Sequence, residues 1–476
     1  VEEVQKPALE GSFSVNGERV DTAFSLLIAQ VSEYTPEQQE AFTDIAPEVV
    51  RDITRAYAIE TPSTIVCGFG ADKYDNGHLT GHALATLAAI TGNIGKKGAG
   101  VGAHNRSVPA NSAVSNPAAS NDEHLIESGT SYLQGTLSLL ALPEIVDTGK
   151  FNGKEYSLKA LYITQANPIS NVAHQKLWTE KVFPAMEFIV VTDIAFGDTT
   201  MYADLLLPHA HWFEMTDIPC TGNSSYMMLS DKILEPLYES KPDIEIWSLI
   251  CQRFGKGEFF QKSQEEFLED FLDVDANREL GLTLDTLKEK HAIRAVPGDL
   301  YIEYEGGKFE TPSGRAEFYL ETPYAFFELG QDFASSHDYL PEFKPPHEAW
   351  PDNPLFDKYP LVYIQEHSRF RVHSQWWDVP WLQEIEGEPI VKINPIDAEK
   401  RGIVQGEYVR VFNERGEAVV RAAITEGARP GAVSIPRGAQ NKQFKSGGYQ
   451  QMTQTHINPI TLNQSFFDVL VEVEKA

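Results

Sequence analysis

Cysteine is scarce in this chain. Cys67, Cys220 and Cys251 are the three in 476 residues, and they lie far apart. They form no CxxC pair, so neither a zinc site nor an iron–sulfur cluster can be read from their spacing. Long apolar runs are missing too. None approaches the roughly 20 residues that cross a bilayer as a helix, and no direct membrane span is expected. Positive charge is in short supply, with 39 Lys and Arg against 69 Asp and Glu and a formal net charge of −30. Such a surface repels nucleic acid and anionic membranes, which excludes nucleic acid as a partner. The acidic excess is read as solubility or adaptation to the host medium. There is no internal repeat and no low-complexity tract. The chain begins "VEEVQKPALEGSF", without an initiator Met, and is read as a processed or excised piece of something longer, which leaves its compartment unread.

What is present is the composition of a folded protein, 42% hydrophobic and 11% aromatic. The length allows two to four domains and a sizeable core. "YTPEQQEAF" predicts a helix: Thr35 can cap, Pro36 fits the first helical position and Gln38 completes a capping box. "APEVVRDITRAYA" repeats the signal with Pro47, and Val50, Ile53, Ala56 and Tyr57 recur at helical spacing. "STIVCGFG" is a short apolar run ending in glycines, a buried strand feeding a loop. "GHALATLAAITGNIG" returns to helix, ended by Gly92 or Gly95. Further on, strands at Ala160–Thr164 and Phe188–Thr192 flank a helical stretch around His174–Lys181. That is the βαβ rhythm of a parallel sheet, whose ligands bind at the C-terminal ends of the strands. Residues 240–300 read as acidic helices, "FETPSGRAEFY" as a turn and a strand, and "HDYLPEFKPPHEAWPDNPLFDKYP" as a proline-rich linker. From about Tyr359 onward, short β-rich runs bounded by Gly, Pro and Asn predict a small β-barrel.

Several stretches could carry chemistry. In "FIVVTDIAFGDTTMYADLLLP", Asp193 ends a strand and Asp198, Thr199, Thr200 and Asp204 follow closely. A carboxylate there can accept from a ribose hydroxyl or a guanine edge, and Thr hydroxyls with exposed N–H groups suit phosphate. Helix capping by Asp198 or Thr199 accounts for the same residues. In "CGFGADKYDNG", Gly68 and Gly70 permit close backbone approach to a ligand, or simply a tight turn. "TQANPIS" sets Gln165, Asn167 and Pro168 at another strand end, where Asn-Pro usually marks a turn. The most unusual stretch is "EHSRFRVHSQWWD", residues 366–378, which mixes two His-Ser pairs, two arginines and a Trp-Trp pair. Neither histidine has a Cys or carboxylate at ordinary ligand spacing, and neither serine sits in a nucleophile elbow. A flat, heteroatom-rich anion fits: the Trp faces stack, while His367, Arg371, His373, Ser374 and Gln375 supply hydrogen bonds.

These segments, in order along nearly the whole chain, resemble the C-terminal two-thirds of the molybdopterin oxidoreductases of the dimethyl sulfoxide reductase family. "CGFGADKYDNGHLTGHALATLAAITGNIGKKGAGVG" is similar to the family's glycine-rich segment and its "TGNIGKPGAG" loop. "FIVVTDIAFGDTTMYADLLLPHAHWFE" resembles "VVxDxxxTETxxxADVVLPxxxxxE", with Asp198 at the acidic position before the threonine. "KALYITQANPISN", "ILEPLYESKPDIEIW", "TPSGRAEFY", "HSRFRVHSQ", "INPIDAEKRGIVQGEYVRVFNERG" and "FFDVLVEVEKA" follow in place. "HNRSVPANSAVSNPAAS" stands where the family has "RGQNNVQG", so Arg106 lies in an altered loop.

The resemblance implies an α/β plus β fold class. Parallel-sheet α/β domains bind dinucleotide, and a C-terminal six-stranded, double-psi-like β-barrel follows. It divides the chain into part of one pterin-dinucleotide domain at 1–125, a second at 126–340, a linker at 341–358 and the barrel at 359–476. It also implies an oxidoreductase of respiratory electron transfer that acts on a small molecule and is partnered by an electron-transfer subunit. The implied cofactor is a molybdenum or tungsten bis-molybdopterin guanine dinucleotide. The family's iron–sulfur cluster and metal ligand fall in a region before residue 1, so no catalytic residue and no metal ligand is assigned here. The implied cofactor-binding positions are Gly68, Gly70, Arg106, Gln165, Asn167, Asp193, Thr199, Asp204, His367, Arg371, His373, Ser374, Gln375, Trp376 and Asn458. Asp193 and Asp204 would take a ribose or guanine edge, Thr199 a phosphate, and the residues from His367 to Trp376 the pterins. The alternative on the same fold is a structural subunit of a respiratory complex that has lost the cofactor; a non-redox hydratase or hydroxyl transferase is a variant of the enzyme reading. The 476-residue chain alone is expected to fold but to be inactive, with residues near 100–125 loose.

Overall fold

Local signals build the first elements of the protein, whose computed structural model describes residues 8–102, 139–151, 153–219, 224–295, 302–321, 338–458 and 463–476. The Thr35 hydroxyl accepts from the Gln38 N–H, and the Gln38 side chain accepts from the Thr35 N–H, capping the helix Pro36–Thr43. Pro47 opens the helix Pro47–Ile59. The strand Thr64–Val66 pairs in parallel with Gly100–Gly102, with the helix Gly77–Ile90 between them in sequence. Residues 103–125, most of the stretch expected to be loose, lie outside the described residues.

The second α/β unit has the strands Ala160–Thr164, Phe188–Asp193 and Leu205–Pro208, parallel and adjacent in that order. Ile169, Val172, Trp178, Val182, Phe183, Ile189 and Val191 form its core. The helical stretch expected around 174–181 forms as Gln175–Leu177 continued without a gap by a π-helical turn, Trp178–Val182. Its start is docked on the barrel, where the His174 N–H donates to the Thr453 hydroxyl and the Gln175 N–H to the Gln450 carbonyl, which satisfies donors that have no partner inside the helix. Beyond this sheet, the helices Asp243–Arg253, Gln264–Leu272, Asp275–Glu279 and Leu284–Lys290 follow. The last three surround a core that includes Leu268, Leu272, Leu284 and Leu287.

The strands Leu361–Ile364, Ile390–Ile393, Tyr408–Phe412, Glu417–Ile424, Ala432–Ser434 and Leu470–Lys475 close on one another as a six-stranded barrel, with Ser446–Gly447 added beside Glu417–Ile424. Alternation explains the closure: Val409 and Val411 point inward from one strand, and Ala418, Val420 and Ala422 from its neighbour. Each fully buried Val, Ile or Leu contributes about 1.5–3 kcal/mol, so the barrel has an apolar core of its own.

Two local expectations give way. "FETPSGRAEFY" contains the turn, closed by Gly314 N–H to the Thr311 carbonyl, but no strand. The proline-rich 341–358 is not a free linker: Glu348 and Ala349 are buried. Asp468 accepts from their N–H groups at 2.9 and 2.6 Å, and Glu348 holds Arg415 through two 2.7 Å bonds. The segment is therefore a strap fastened to the barrel. Among the described residues no helix is long and apolar enough to cross a membrane.

Candidate functional site

The C-terminal loops of the three-stranded sheet run into the barrel. Asp198 is central to this seam. Its carboxylate accepts from the Ser170 hydroxyl and from the Asn441 N–H, both at 2.8 Å, and its own N–H donates to Gln440 at 2.8 Å. Burial raises its pKa, opposed by those two bonds and by Lys442. Asn171 donates to the Ser374 hydroxyl at 3.1 Å, and the Tyr449 hydroxyl donates to the Ser170 carbonyl. The Asp198 contacts thus lock the sheet's loops against the barrel, while Asn167, whose side-chain oxygen accepts from the Thr199 hydroxyl at 2.6 Å, ties those loops to each other.

Beside this seam four basic side chains from three segments act on one another: Lys73 after the glycine loop, His367 and His373 in the barrel loop, and Arg437 after the strand Ala432–Ser434. The His367 and His373 rings lie 5.1 Å apart at 72°. Partial desolvation lowers the pKa of both, helped by the positive charges of Arg437 and Lys73, and His373 reaches about 4. Burial, then Arg437, likewise lowers Lys73 against the opposing pull of Asp72. Arg437 and Lys73 also face the Phe466 ring, at 5.3 and 5.9 Å. Gly438 makes the approach feasible: its φ is +103°, and a Cβ there would lie 1.7 Å from the His373 carbonyl oxygen. The Arg437 Nε is buried with no hydrogen-bond partner in the protein. An unsatisfied buried donor costs about 1–3 kcal/mol, more when charged, so this pocket of positive charge in a chain of −30 fits an anionic ligand.

At the C-terminal edge of the sheet a second polar group gathers. Asp243, first residue of its helix, accepts from Thr164 at 3.2 Å and Gln165 at 2.5 Å and lies 3.0 Å from the His209 Nε2. Asp193 ends the central strand; its Oδ1 accepts from the Ile194 N–H at 2.7 Å, and burial raises its pKa against the pull of His209. Trp376, held at φ +62° and 39% exposed, meets Trp212 edge-on at 6.4 Å, leaving ring surface open.

The expected residues divide accordingly. His367, His373, Trp376 and the exposed Gln375 come together at the barrel loop, with Ser374 bonded to Asn171. Gly70 packs at the Phe467 ring, and Gly68 precedes it in the same loop. Gln165 and Asp193 share the sheet edge, and Arg106 lies outside the described residues. Four expectations are corrected. Asp204 sits at the opposite, N-terminal edge, where its carboxylate accepts from the Ile189 N–H at 2.8 Å, because it precedes its strand rather than ending one. Thr199 is fully buried with its hydroxyl spent on Asn167. The Arg371 side chain is wholly buried beside Glu386 and 4.1 Å from the Trp377 ring centroid, turned away from the open face of the loop, and its guanidinium nitrogens have no hydrogen-bond partner in the protein. Asn458 is buried, its amide donating to the Tyr74 carbonyl and touching His78. Sequence reasoning missed Lys73, Arg437, His209, Trp212 and Asp243. The one signal for Arg437 was a cation in "IPRG" between a strand and a glycine, in a chain poor in cations.

Comparison with known proteins agrees with this architecture. Residues 12–253 match the family described as molybdopterin oxidoreductase, and residues 361–470 the molydopterin dinucleotide binding domain. The chain is 32% identical, over 98% of its length and 54% of the other, to a putative dimethyl sulfoxide reductase catalytic chain of Halobacterium salinarum. It is 25% identical to the alpha chain of perchlorate reductase from Dechloromonas aromatica, over 96% and 55%. With dimethyl sulfoxide reductase DmsA of Escherichia coli the identity is 29%, over 93% and 57%. The chain thus spans about half the length of the curated relatives it matches. In fold it is similar to acetylene hydratase from Pelobacter acetylenicus, with a TM-score of 0.75 over 96% of this chain and 66% of that one at 19% identity. The barrel, the parallel sheet facing it and both family matches converge: the chain belongs to the molybdopterin oxidoreductase family, of the dimethyl sulfoxide reductase type, and carries that family's molybdopterin dinucleotide-binding domain.

Proposed function

We propose that this chain is the cofactor-facing part of a catalytic subunit that reduces or oxidises a small molecule at a molybdenum or tungsten centre held by two pyranopterin guanine dinucleotides. The reading rests on one observation above all: a cluster of Lys73, His367, His373 and Arg437 with a buried, unpartnered Arg437 Nε, in a strongly acidic chain. The metal, when bound, supplies two-electron oxidation and reduction. The chain's own residues do the holding. Lys73 and Arg437 supply positive charge to the phosphate and pterin oxygens, while His367 and His373, kept neutral by their lowered pKa, offer ring N–H donors; charge-assisted bonds of this kind are short and strong. Trp376 offers a ring face, with Gln375 and Ser374 beside it. Asp193, with Gln165 and Asp243 close by, accepts from a guanine or ribose edge. Asp198, Asn167 and Thr199 keep the loops of both units in register. The names of the relatives, a sulfoxide reductase and a perchlorate reductase, favour a small oxygen-bearing acceptor as substrate and partnership with an electron-transfer subunit. The 476 residues by themselves are expected to fold without turnover.

The test uses the full-length protein, purified anaerobically, with bound metal and pterin quantified. Arg437→Gln and His373→Ala should each lower occupancy about 10-fold or more, the effect of removing a charge-assisted bond, while the barrel unfolds within about 2 °C of the parent, under 1 kcal/mol. Full occupancy in the double variant would overturn the assignment. A parent protein holding neither metal nor pterin would point instead to a structural subunit.

A further inference from the structure

Three segments remote in sequence bring Asp75, His347 and His456 together, with one potential ligand atom from each lying within 4.8 Å of the others. The two imidazole rings stand 3.8 Å apart at 38°. The Asp75 Oδ1 is buried and has no hydrogen-bond partner. We propose that this trio binds a divalent transition-metal ion of the zinc type, which fastens the segment after the glycine loop, the proline-rich strap and the last barrel loop to one another.

The donor chemistry selects the class of ion. Two imidazoles and one carboxylate suit zinc and its neighbours, whereas calcium and magnesium favour all-oxygen sets. Bonds of about 2.0–2.1 Å place tetrahedral ligand atoms about 3.3 Å apart, so small side-chain rotations close the trio onto an ion. Both histidines are exposed, which gives an ion access. A cavity of about 270 Å³ adjoins the two histidines and is lined also by His174, Glu348 and Arg415, which gives water access to the imidazole side of the trio. Arg415 is the one cation among these lining residues, and its pair of 2.7 Å bonds to Glu348 neutralises it.

The backbone on each side is fixed independently of any ion. Asp468 holds the N–H groups of Glu348 and Ala349, directly after His347. The His456 carbonyl accepts from the Ser465 N–H at 3.1 Å. Asn458 donates to the Tyr74 carbonyl at 3.3 Å, directly before Asp75. Gly77 allows this turn to close, since a Cβ there would lie 2.3 Å from the Ala71 oxygen. Asp75 and Asp468 repel as like charges. A cation between the segments offsets that repulsion and satisfies the buried Asp75 oxygen, which is otherwise costly to leave unpaired. None of the three ligands belongs to the basic cluster, although Asp75 follows Lys73 by two residues, so Zn2+ uptake and cofactor occupancy are read separately.

The 476-residue chain, stripped with a chelator, should take up one equivalent of Zn2+ in equilibrium dialysis, and Co2+ in its place should show tetrahedral d–d absorption. His347→Ala and His456→Ala should each weaken Zn2+ binding about 100-fold, and Asp75→Asn about 10-fold, in line with lost ligand interactions. Zn2+ should raise the melting temperature of the parent and of a His291→Ala control, whose histidine pairs with Asp231 elsewhere, but not that of the double histidine variant. Equal Zn2+ stoichiometry and affinity in the parent and the His347→Ala/His456→Ala double variant would overturn the proposal. So would a parent chain that binds no Zn2+ at about 10 μM, a concentration that corresponds to roughly −7 kcal/mol.

Discussion

Arg371→Met separates two roles for one residue: a hand on the cofactor or a prop behind the loop. The Arg371 side chain is fully buried, ion-paired with Glu386 and laid over Trp377 at 4.1 Å. Its removal leaves Glu386 with the Ser368 hydroxyl, at 2.7 and 2.9 Å, as its hydrogen-bond donor. Breaking a buried pair costs about 3–5 kcal/mol. The Glu386 side chain is 19% exposed, so water recovers part of this and about 2–3 kcal/mol remains. The lost cation–π contact adds about 1 kcal/mol. A total of about 3–4 kcal/mol should lower the barrel's transition by about 10 °C, at about 2–4 °C per kcal/mol. Scanning calorimetry of Arg371→Met, Glu386→Gln and the double variant reads this directly. The double variant should recover about 2 kcal/mol relative to the sum of the single changes, because neither partner is left charged and alone. A melting temperature within about 1 °C of the parent, below 0.5 kcal/mol, together with lost cofactor would refute the prop and restore Arg371 to the cofactor.

Three further outcomes are expected. His373 has a folded pKa of about 4 against about 6.5 when unfolded. The unfolded chain therefore binds protons first as pH falls, so stability is complete above pH 6.5 and declines toward pH 4, by about 3 kcal/mol before solvent screening and by less after it. His373→Gln should flatten the urea midpoint between those pH values, and an unchanged slope would count against the shift. Asp193→Asn should weaken binding of a guanine nucleotide about 10-fold by calorimetry, whereas Asp204→Asn should leave it alone and cost about 1 kcal/mol of stability; the reverse pattern would undo the placement of the sheet edges. Asp198→Ala should remove about 2–4 kcal/mol from the seam, through the orphaned Ser170 hydroxyl and Asn441 N–H, and speed limited proteolysis there. Unchanged proteolysis and melting would show that Asp198 does not clamp the units.

What could be read without coordinates was local or periodic. The Thr35–Gln38 capping box, the strands Ala160–Thr164 and Phe188–Asp193 and the alternating barrel strands depend on neighbours a few residues apart, and each formed where the pattern placed it. The linker expected at 341–358 failed for the opposite reason: its backbone is held by Asp468 and its Glu348 by Arg415, far along the chain in the barrel. The same distinction runs through the site. By itself the sequence determined the family, the order of its units and the loop that holds His367, His373 and Trp376. Only the tertiary structure decided that Arg371 turns inward to Glu386, that Asp204 faces the opposite edge of the sheet, and that the Arg437 Nε stands unpaired beside two histidines. A residue type states which bonds a side chain can make; which partner it meets depends on segments that only the closed barrel and its seam bring within reach.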